Sequence, residues 1–174
     1  MCRKCLFIFS ILLSPLIAHA SDPVDSCVDK DQQQLEWCFK YSNMFGYNIS
    51  SISNPKLYQS VYEWLGTPYR YSGTSKRGID CSGLVCELYK SGFDMCINGC
   101  AKDLYNNTDF VSADELKEGD LVFFKIRKSR ISHVGIYLGQ NKFVHSSTQR
   151  GVTVSDLDDP YYHKYFYKGG RIKK

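Results

Sequence analysis

The residues best suited to covalent chemistry lie in Gly78-Ile79-Asp80-Cys81-Ser82-Gly83-Leu84, where one cysteine stands between an acid and a Ser-Gly pair. An apolar run at helical spacing follows directly, with Leu84, Val85, Leu88 and Tyr89. Asp80 is an N-cap residue by type, since its carboxylate can accept from the orphan N–H groups of a first helical turn. Cys81 then lies at the positive end of a helix macrodipole, a position that favours the reactive thiolate. The same stretch also suits a small cysteine buried in a core helix. The histidines weigh against that plainer reading. His133 opens one apolar strand pattern, and His145 ends the next, across a short turn at Gly139-Gln140-Asn141. In an antiparallel hairpin the start of one strand lies beside the end of its partner, so both imidazoles come to one edge of a sheet. A thiol and two imidazoles supply a nucleophile, a base and an orienting group. His133 would take the proton of Cys81 or pair with it as an imidazolium, and His145 would fix the tautomer and orientation of His133. Zinc held by the same three side chains is the competing use. Beyond residue 20 the chain shows neither the Cys-x-x-Cys nor the His-x-x-x-His spacing typical of such sites, so no metal and no cofactor is expected.

Two helices precede these strands. Asn54-Pro55 pairs an N-cap asparagine with a proline suited to the first helical position, and Leu57, Val61, Trp64 and Leu65 follow at helical spacing up to Gly66. After an extended or turning segment, Tyr69 to Gly73, the Cys81 helix runs to about Lys90 and stops at Ser91-Gly92. Residues 93–112 read as loop, with a short helix over Ala113 to Leu116. Strands are expected over Leu121–Phe124, His133–Leu138, Lys142–His145 and Gly151–Val154, joined by short turns into an antiparallel sheet. Helices first and strands afterwards make an α+β domain.

The first twenty residues stand apart. Arg3 and Lys4, an apolar stretch from Leu6 to Ile17 and the small-x-small Ala18-His19-Ala20 together read as a cleaved secretory signal peptide at 1–20. Residues 21–54 are polar and irregular, with one short amphipathic turn around Gln32 to Lys40, and are expected to form an arm stapled to the main domain by cysteines. The domain proper is then 55–174, with no membrane span after cleavage. Export to the periplasm or the medium exposes Cys27, Cys38, Cys81, Cys86, Cys96 and Cys100 to oxidation. Cys81 and Cys86 point to different faces of one helix and are expected free. Two bridges are expected among Cys27, Cys38, Cys96 and Cys100, with Cys27–Cys38 and Cys96–Cys100 the simplest pairing; sequence alone leaves the connectivity open. The formal charge of +4 falls further when Arg3 and Lys4 leave, which argues against a nucleic-acid partner. A monomer is expected.

Taken in order, Tyr69-Arg70-Tyr71-Ser72-Gly73, the Gly78–Val85 stretch, Gly119-Asp120-Leu121-Val122-Phe123-Phe124, Ser132–Gly139 and Phe143-Val144-His145-Ser146-Ser147 resemble the NlpC family of cell-wall cysteine peptidases. The resemblance spans about residues 57–172 and continues through Asp159-Pro160-Tyr161-Tyr162 to Gly170-Arg171-Ile172. It implies a papain-like fold, with the nucleophile helix packed on an antiparallel sheet, and hydrolysis of stem-peptide bonds in bacterial peptidoglycan, which makes peptidoglycan or muropeptides the partner. Carried over by position, it makes Cys81 the nucleophile, His133 the base and His145 the third polar residue. It assigns Tyr69 a hydroxyl facing the active site that helps the oxyanion, and Asp80 and Ser82 a part in binding substrate. The backbone N–H of Cys81 is a sensible oxyanion donor on physical grounds as well. Where many members carry a Pro-Arg-Ser/Thr segment this chain has Asp94-Met95-Cys96-Ile97-Asn98-Gly99-Cys100, so one cleft wall is expected to be remodelled. The expected activity is a secreted or periplasmic endopeptidase cutting γ-D-glutamyl–diaminopimelate or D-alanyl–diaminopimelate bonds. An exported wall-lysing toxin of the same chemistry and a catalytically silent wall-binding module are the alternatives.

Overall fold

The computed structural model describes residues 23–127 and 129–173, with side chains from residue 29 onward. The expected leader at 1–20 and the side chain of Cys27 lie outside these residues. Helix α1 (Pro23–Phe45) replaces the irregular arm that the sequence suggested. Its inward stripe is Gln34, Trp37, Cys38, Tyr41 and Phe45, at true helical spacing. The polar Gln34, whose side chain donates to Ile52 O at 3.1 Å, hides that period from a hydrophobic reading. Leu35 and Phe39, which look like core in the sequence, are 70% and 72% exposed.

The helix pair forms where its local signals put it. Helix α2 (Pro55–Trp64) is capped by Asn54, whose side chain accepts from the Leu57 N–H at 3.1 Å. A two-strand hairpin, β1 (Thr74–Ser75) with β2 (Gly78–Ile79), leads into α3 (Cys81–Phe93). Asp94, with a φ of 56°, ends α3 in the left-handed region. The stretch read as loop contains α4 (Ala101–Asn106) and the edge strand β3 (Thr108–Val111). A 3₁₀ turn over Ala113–Glu115 follows, where the short helix was expected.

Strands β4 (Leu121–Phe124), β5 (His133–Gly139), β6 (Lys142–Ser147) and β7 (Gly151–Asp156) match the expected four. Helix α5 (Pro160–Tyr165) and β8 (Phe166–Ile172) complete the chain. The sheet is antiparallel, in the order β3-β8-β4-β5-β6-β7. Both of its faces are covered, which is why Leu121–Phe124 is apolar without alternation. Leu121, Phe123, Val134, Ile136, Leu138, Val144 and Val152 share a core with α2, α3 and the inner stripe of α1. Val122, Phe124, Tyr137 and Phe143 form a second core with Leu157 and Tyr162. This is the α+β, papain-like arrangement expected from the sequence.

Polar ties fix the layers to one another. Tyr58 OH donates to Leu138 O at 2.5 Å and Tyr89 OH to Gly119 O at 2.6 Å, anchoring α2 and α3 to the sheet and its turn. The buried Asp120 accepts from Arg171 Nε and Nη2 at 2.8 and 2.7 Å, a forked pair that locks β8 to the start of β4.

Among the described residues Cys38, Cys96 and Cys100 are unpaired, as are Cys81 and Cys86, so the structure holds no Cys96–Cys100 bridge; the expected partner of Cys38, Cys27, lies outside the described side chains. Cys38 is buried in the main core, so packing of an amphipathic helix does the work assigned to a staple. Cys100 is the N-cap of α4 in a capping box with Asp103, its N–H donating to Asp103 Oδ2 at 3.0 Å, so that residue is spent on starting a helix.

Candidate active site

Cys81 is the first residue of α3, and the cap beneath it is fully made. Asp80 Oδ1 accepts from the Gly83 N–H at 2.7 Å and from Ser82 Oγ at 3.0 Å. The segment before the nucleophile is tied to the sheet from the other side, where the buried Ser146 Oγ donates to Ile79 O at 2.8 Å. Because Ser146 follows His145 on β6, one short peptide holds the third polar residue and clamps the backbone two residues before the thiol.

His133 and His145 lie on the sheet face that carries α5, on the same side as Tyr137 and Phe143. They are diagonal neighbours across the β5–β6 ladder, two residues out of direct register. The intervening position is Gly135, where a Cβ would come within 2.6 Å of Val144 O, 2.8 Å of the Phe143 ring and 3.2 Å of His145 Cβ. Glycine there lets the two imidazoles meet. His133 Nε2 and His145 Nδ1 are 2.9 Å apart, with the rings perpendicular and their centroids 4.9 Å apart. Phe143 stacks on His145 at 4.8 Å. The remaining nitrogen of His145, Nε2, reaches Ser155 Oγ at 3.0 Å and Tyr162 OH at 3.2 Å.

Cys81, His133 and His145 line one cleft of about 710 Å³, together with Tyr69, Asp80 and Ser82. All six residues singled out in the sequence therefore meet in one place. The rest of the lining includes Cys100, Ala101 and Lys102 at the end of the atypical Asp94–Cys100 segment, Arg127 and Arg130 from the β4–β5 loop, and Arg150 and Tyr161. Among the described residues no cluster of three or more metal-ligating side chains occurs.

The surroundings of the site work against the ion pair allowed by the sequence. Burial pushes the Cys81 thiol up to about 11, with Asp80 adding to it, while the N–H groups of Val134, Ser82 and Cys81 itself pull the other way. Burial holds His133 down to about 4, and burial, His133 and Arg150 hold His145 well below the usual imidazole range. Burial thus works against the charged form of the thiol and of both imidazoles. The favourable helix end is outweighed because the thiol is surrounded mostly by protein beside a carboxylate. Burial first, then Cys81 and Asp80, raise the Tyr69 phenol, which therefore stays a hydrogen-bond donor.

The sequence pattern that describes the NlpC/P60 family matches residues 66–171. A probable endopeptidase of Haemophilus influenzae is 35% identical over 158 residues, covering 90% of this chain and 96% of the relative. The chain belongs to the NlpC/P60 family. A further relative, the murein DD-endopeptidase MepS/murein LD-carboxypeptidase of Escherichia coli, is 37% identical over 110 residues, covering 63% of this chain and 58% of that one. Among solved structures, an NlpC/P60 family protein from Bacillus cereus superposes with a TM-score of 0.62 at 31% identity, covering 72% of this chain and 43% of that one.

Within this NlpC/P60 domain, sequence reasoning missed the second layer around the histidines: Gly135, Arg150, Ser155 and Tyr162. Tyr162 had a usable signal, since Asp159-Pro160 is the same cap-and-proline start that marks α2, and Asp159 Oδ1 accepts from the Tyr161 N–H at 2.8 Å. Ser155 had none. Only strand register puts it beside His145.

Proposed function

We propose that this protein is a cysteine endopeptidase that hydrolyses stem-peptide bonds of bacterial peptidoglycan outside the cytoplasm. The reading rests above all on Cys81, His133 and His145 sharing one cleft, with the two imidazoles 2.9 Å apart. With His133 Nε2–H donated to His145 Nδ1, the other ring nitrogen of His133 keeps its lone pair for the thiol. Substrate excludes water from the cleft, and Cys81 Sγ attacks the scissile carbonyl as its proton passes to His133. Proton transfer accompanies attack, since the resting pair is neutral. The oxyanion accepts hydrogen bonds from the Cys81 N–H and the Tyr69 hydroxyl. His133 then protonates the leaving amine, an acyl-enzyme remains, and water activated by the same imidazole releases it.

The cleft suits such a substrate. Lys102, Arg127, Arg130 and Arg150 line it against Asp80 and Asp159, and stem peptides carry carboxylates along their length. Asp80 has one oxygen committed to the helix cap; in this reading the other meets a substrate amine, with Ser82 beside it. The bond is γ-D-glutamyl–diaminopimelate or D-alanyl–diaminopimelate. Residues 1–20 serve as the export leader, residues 21–54 brace the domain, and 55–174 carry the chemistry.

The test is mass spectrometry of purified peptidoglycan after incubation with the protein. New fragments should identify the bond, and Cys81→Ala and His133→Ala should each abolish their release while leaving the fold intact. Undiminished release by folded Cys81→Ala would sink the cysteine mechanism.

A further inference from the structure

A triad whose third member is a histidine has a problem that an aspartate or asparagine does not pose. Neutral imidazole carries one proton on either of two nitrogens. With Nε2 of His133 taken up by His145, Nδ1 is the nitrogen left to accept the Cys81 proton, and that requires the His133 proton on Nε2. That proton then needs an acceptor at His145 Nδ1, which forces the His145 proton onto Nε2. The opposite arrangement satisfies the same 2.9 Å contact but leaves Nδ1 of His133 protonated, so that neither of its nitrogens is free to act as a base. The triad alone does not choose between them.

We propose that Ser155 and Tyr162 make that choice, as positioning residues that accept the Nε2 proton of His145 and so hold the His133 lone pair toward Cys81. The geometry supports it from several elements. Ser155 Oγ, from β7, lies 3.0 Å from His145 Nε2, and Tyr162 OH, from α5, lies 3.2 Å away. His145 is almost wholly buried, so an N–H there without an acceptor is costly. Arg150, in the β6–β7 turn, donates from Nη2 to the same Ser155 oxygen at 3.4 Å. The charged or titratable groups around His145 are thus His133, Arg150 and Tyr162, and Phe143 covers one ring face. A fixed cation at Arg150 discourages a second proton on His145. A doubly protonated His145 would have no lone pair for His133, so Arg150 keeps the developing positive charge on the base itself.

The proposal rests on the triad reading above, and its first readout needs no substrate. Long-range proton–nitrogen correlation spectra of protein labelled with ¹⁵N-histidine report which ring nitrogen is protonated. In the wild type, His133 and His145 should both be protonated on Nε2. Ser155→Ala/Tyr162→Phe should convert the pair to a mixture or to the opposite tautomers. Ser155→Thr, which keeps an oxygen, should retain the wild-type state. In muropeptide turnover, Ser155→Ala should lower kcat about tenfold with KM within about twofold, and Tyr162→Phe should cost less, since its oxygen is the more distant. A wild-type His133 protonated on Nδ1 would overturn the proposal. So would a folded double variant with unchanged tautomers, or one with changed tautomers and undiminished kcat. If the tautomers respond as expected but the wild type cuts no peptidoglycan, the positioning role stands and the substrate reading fails.

Discussion

At the scale of single residues, the surroundings of the active thiol oppose its storage as a thiolate. Two opposing effects act on Cys81: the helix end and three N–H groups favour the anion, while burial and the Asp80 carboxylate oppose it, and opposition wins. Activity follows the base. His133 is neutral above about 4, so kcat/KM should stay flat through neutrality and fall only as acid protonates His133, well below the usual imidazole value of about 6.5. The free enzyme should alkylate slowly at neutral pH, with the rate rising about tenfold per pH unit toward about 11. An alkylation rate that levels off near pH 7 would show a preformed ion pair instead. Gly135 belongs to the same scale. Its methyl-bearing variant, Gly135→Ala, meets backbone and the Phe143 ring at under 3 Å and must displace β6, taking His145 with it. A kcat loss of up to about a hundredfold is expected, with the fold retained by circular dichroism.

At the scale of elements, the site is made by an end of a helix meeting the ends of strands. Asp80 both starts α3 and raises the Cys81 thiol, and substitution separates these roles. Asp80→Asn keeps an oxygen for the Gly83 N–H and should leave stability near wild type. Asp80→Ala should cost about 1 kcal/mol in denaturant unfolding. Both remove the carboxylate, so both should bring the onset of fast alkylation to lower pH. If only the alanine variant moves alkylation, the carboxylate is not what opposes the thiolate. The β6 strand serves two ends at once: His145 meets His133, and Ser146, on the opposite face, grips Ile79 ahead of the nucleophile. Alternation along one strand thereby fixes the base's partner and the nucleophile's backbone in a single piece.

At the scale of the molecule, α1 is part of the domain that carries the chemistry. Tyr41 is buried against Tyr58 of α2, with ring centroids 5.5 Å apart, and belongs to the core that also holds Leu84 and Val144. Tyr41→Ala should therefore destabilise the whole protein by about 3–5 kcal/mol, with the loss read from the midpoint of chemical unfolding. One cooperative transition is expected, with Cys81 protection from alkylation lost at the same denaturant concentration as the far-ultraviolet signal. Two separate transitions would make α1 an independent arm. Within the sheet, the forked Asp120–Arg171 pair ties β8 to the start of β4.

The sequence by itself determined what is local. Caps at Asn54 and Asp80, the runs Leu121–Phe124 and His133–Leu138 and the turn at Gly139 write their elements in neighbouring residues, so α2, α3 and β4–β7 and the meeting of Cys81, His133 and His145 were legible. The tertiary structure decided what depends on partners far along the chain. Strand β3 exists because β8, some sixty residues later, gives its N–H groups somewhere to go. The inward stripe of α1 includes a glutamine because Ile52 O is there to accept from it, and Cys38 packs into that same core. Ser155, Tyr162 and Arg150 gather at His145 through register and packing, which no spacing in the sequence encodes. The charge state of the site is tertiary too, because burial, the largest influence on Cys81 and both histidines, is a property of the folded whole.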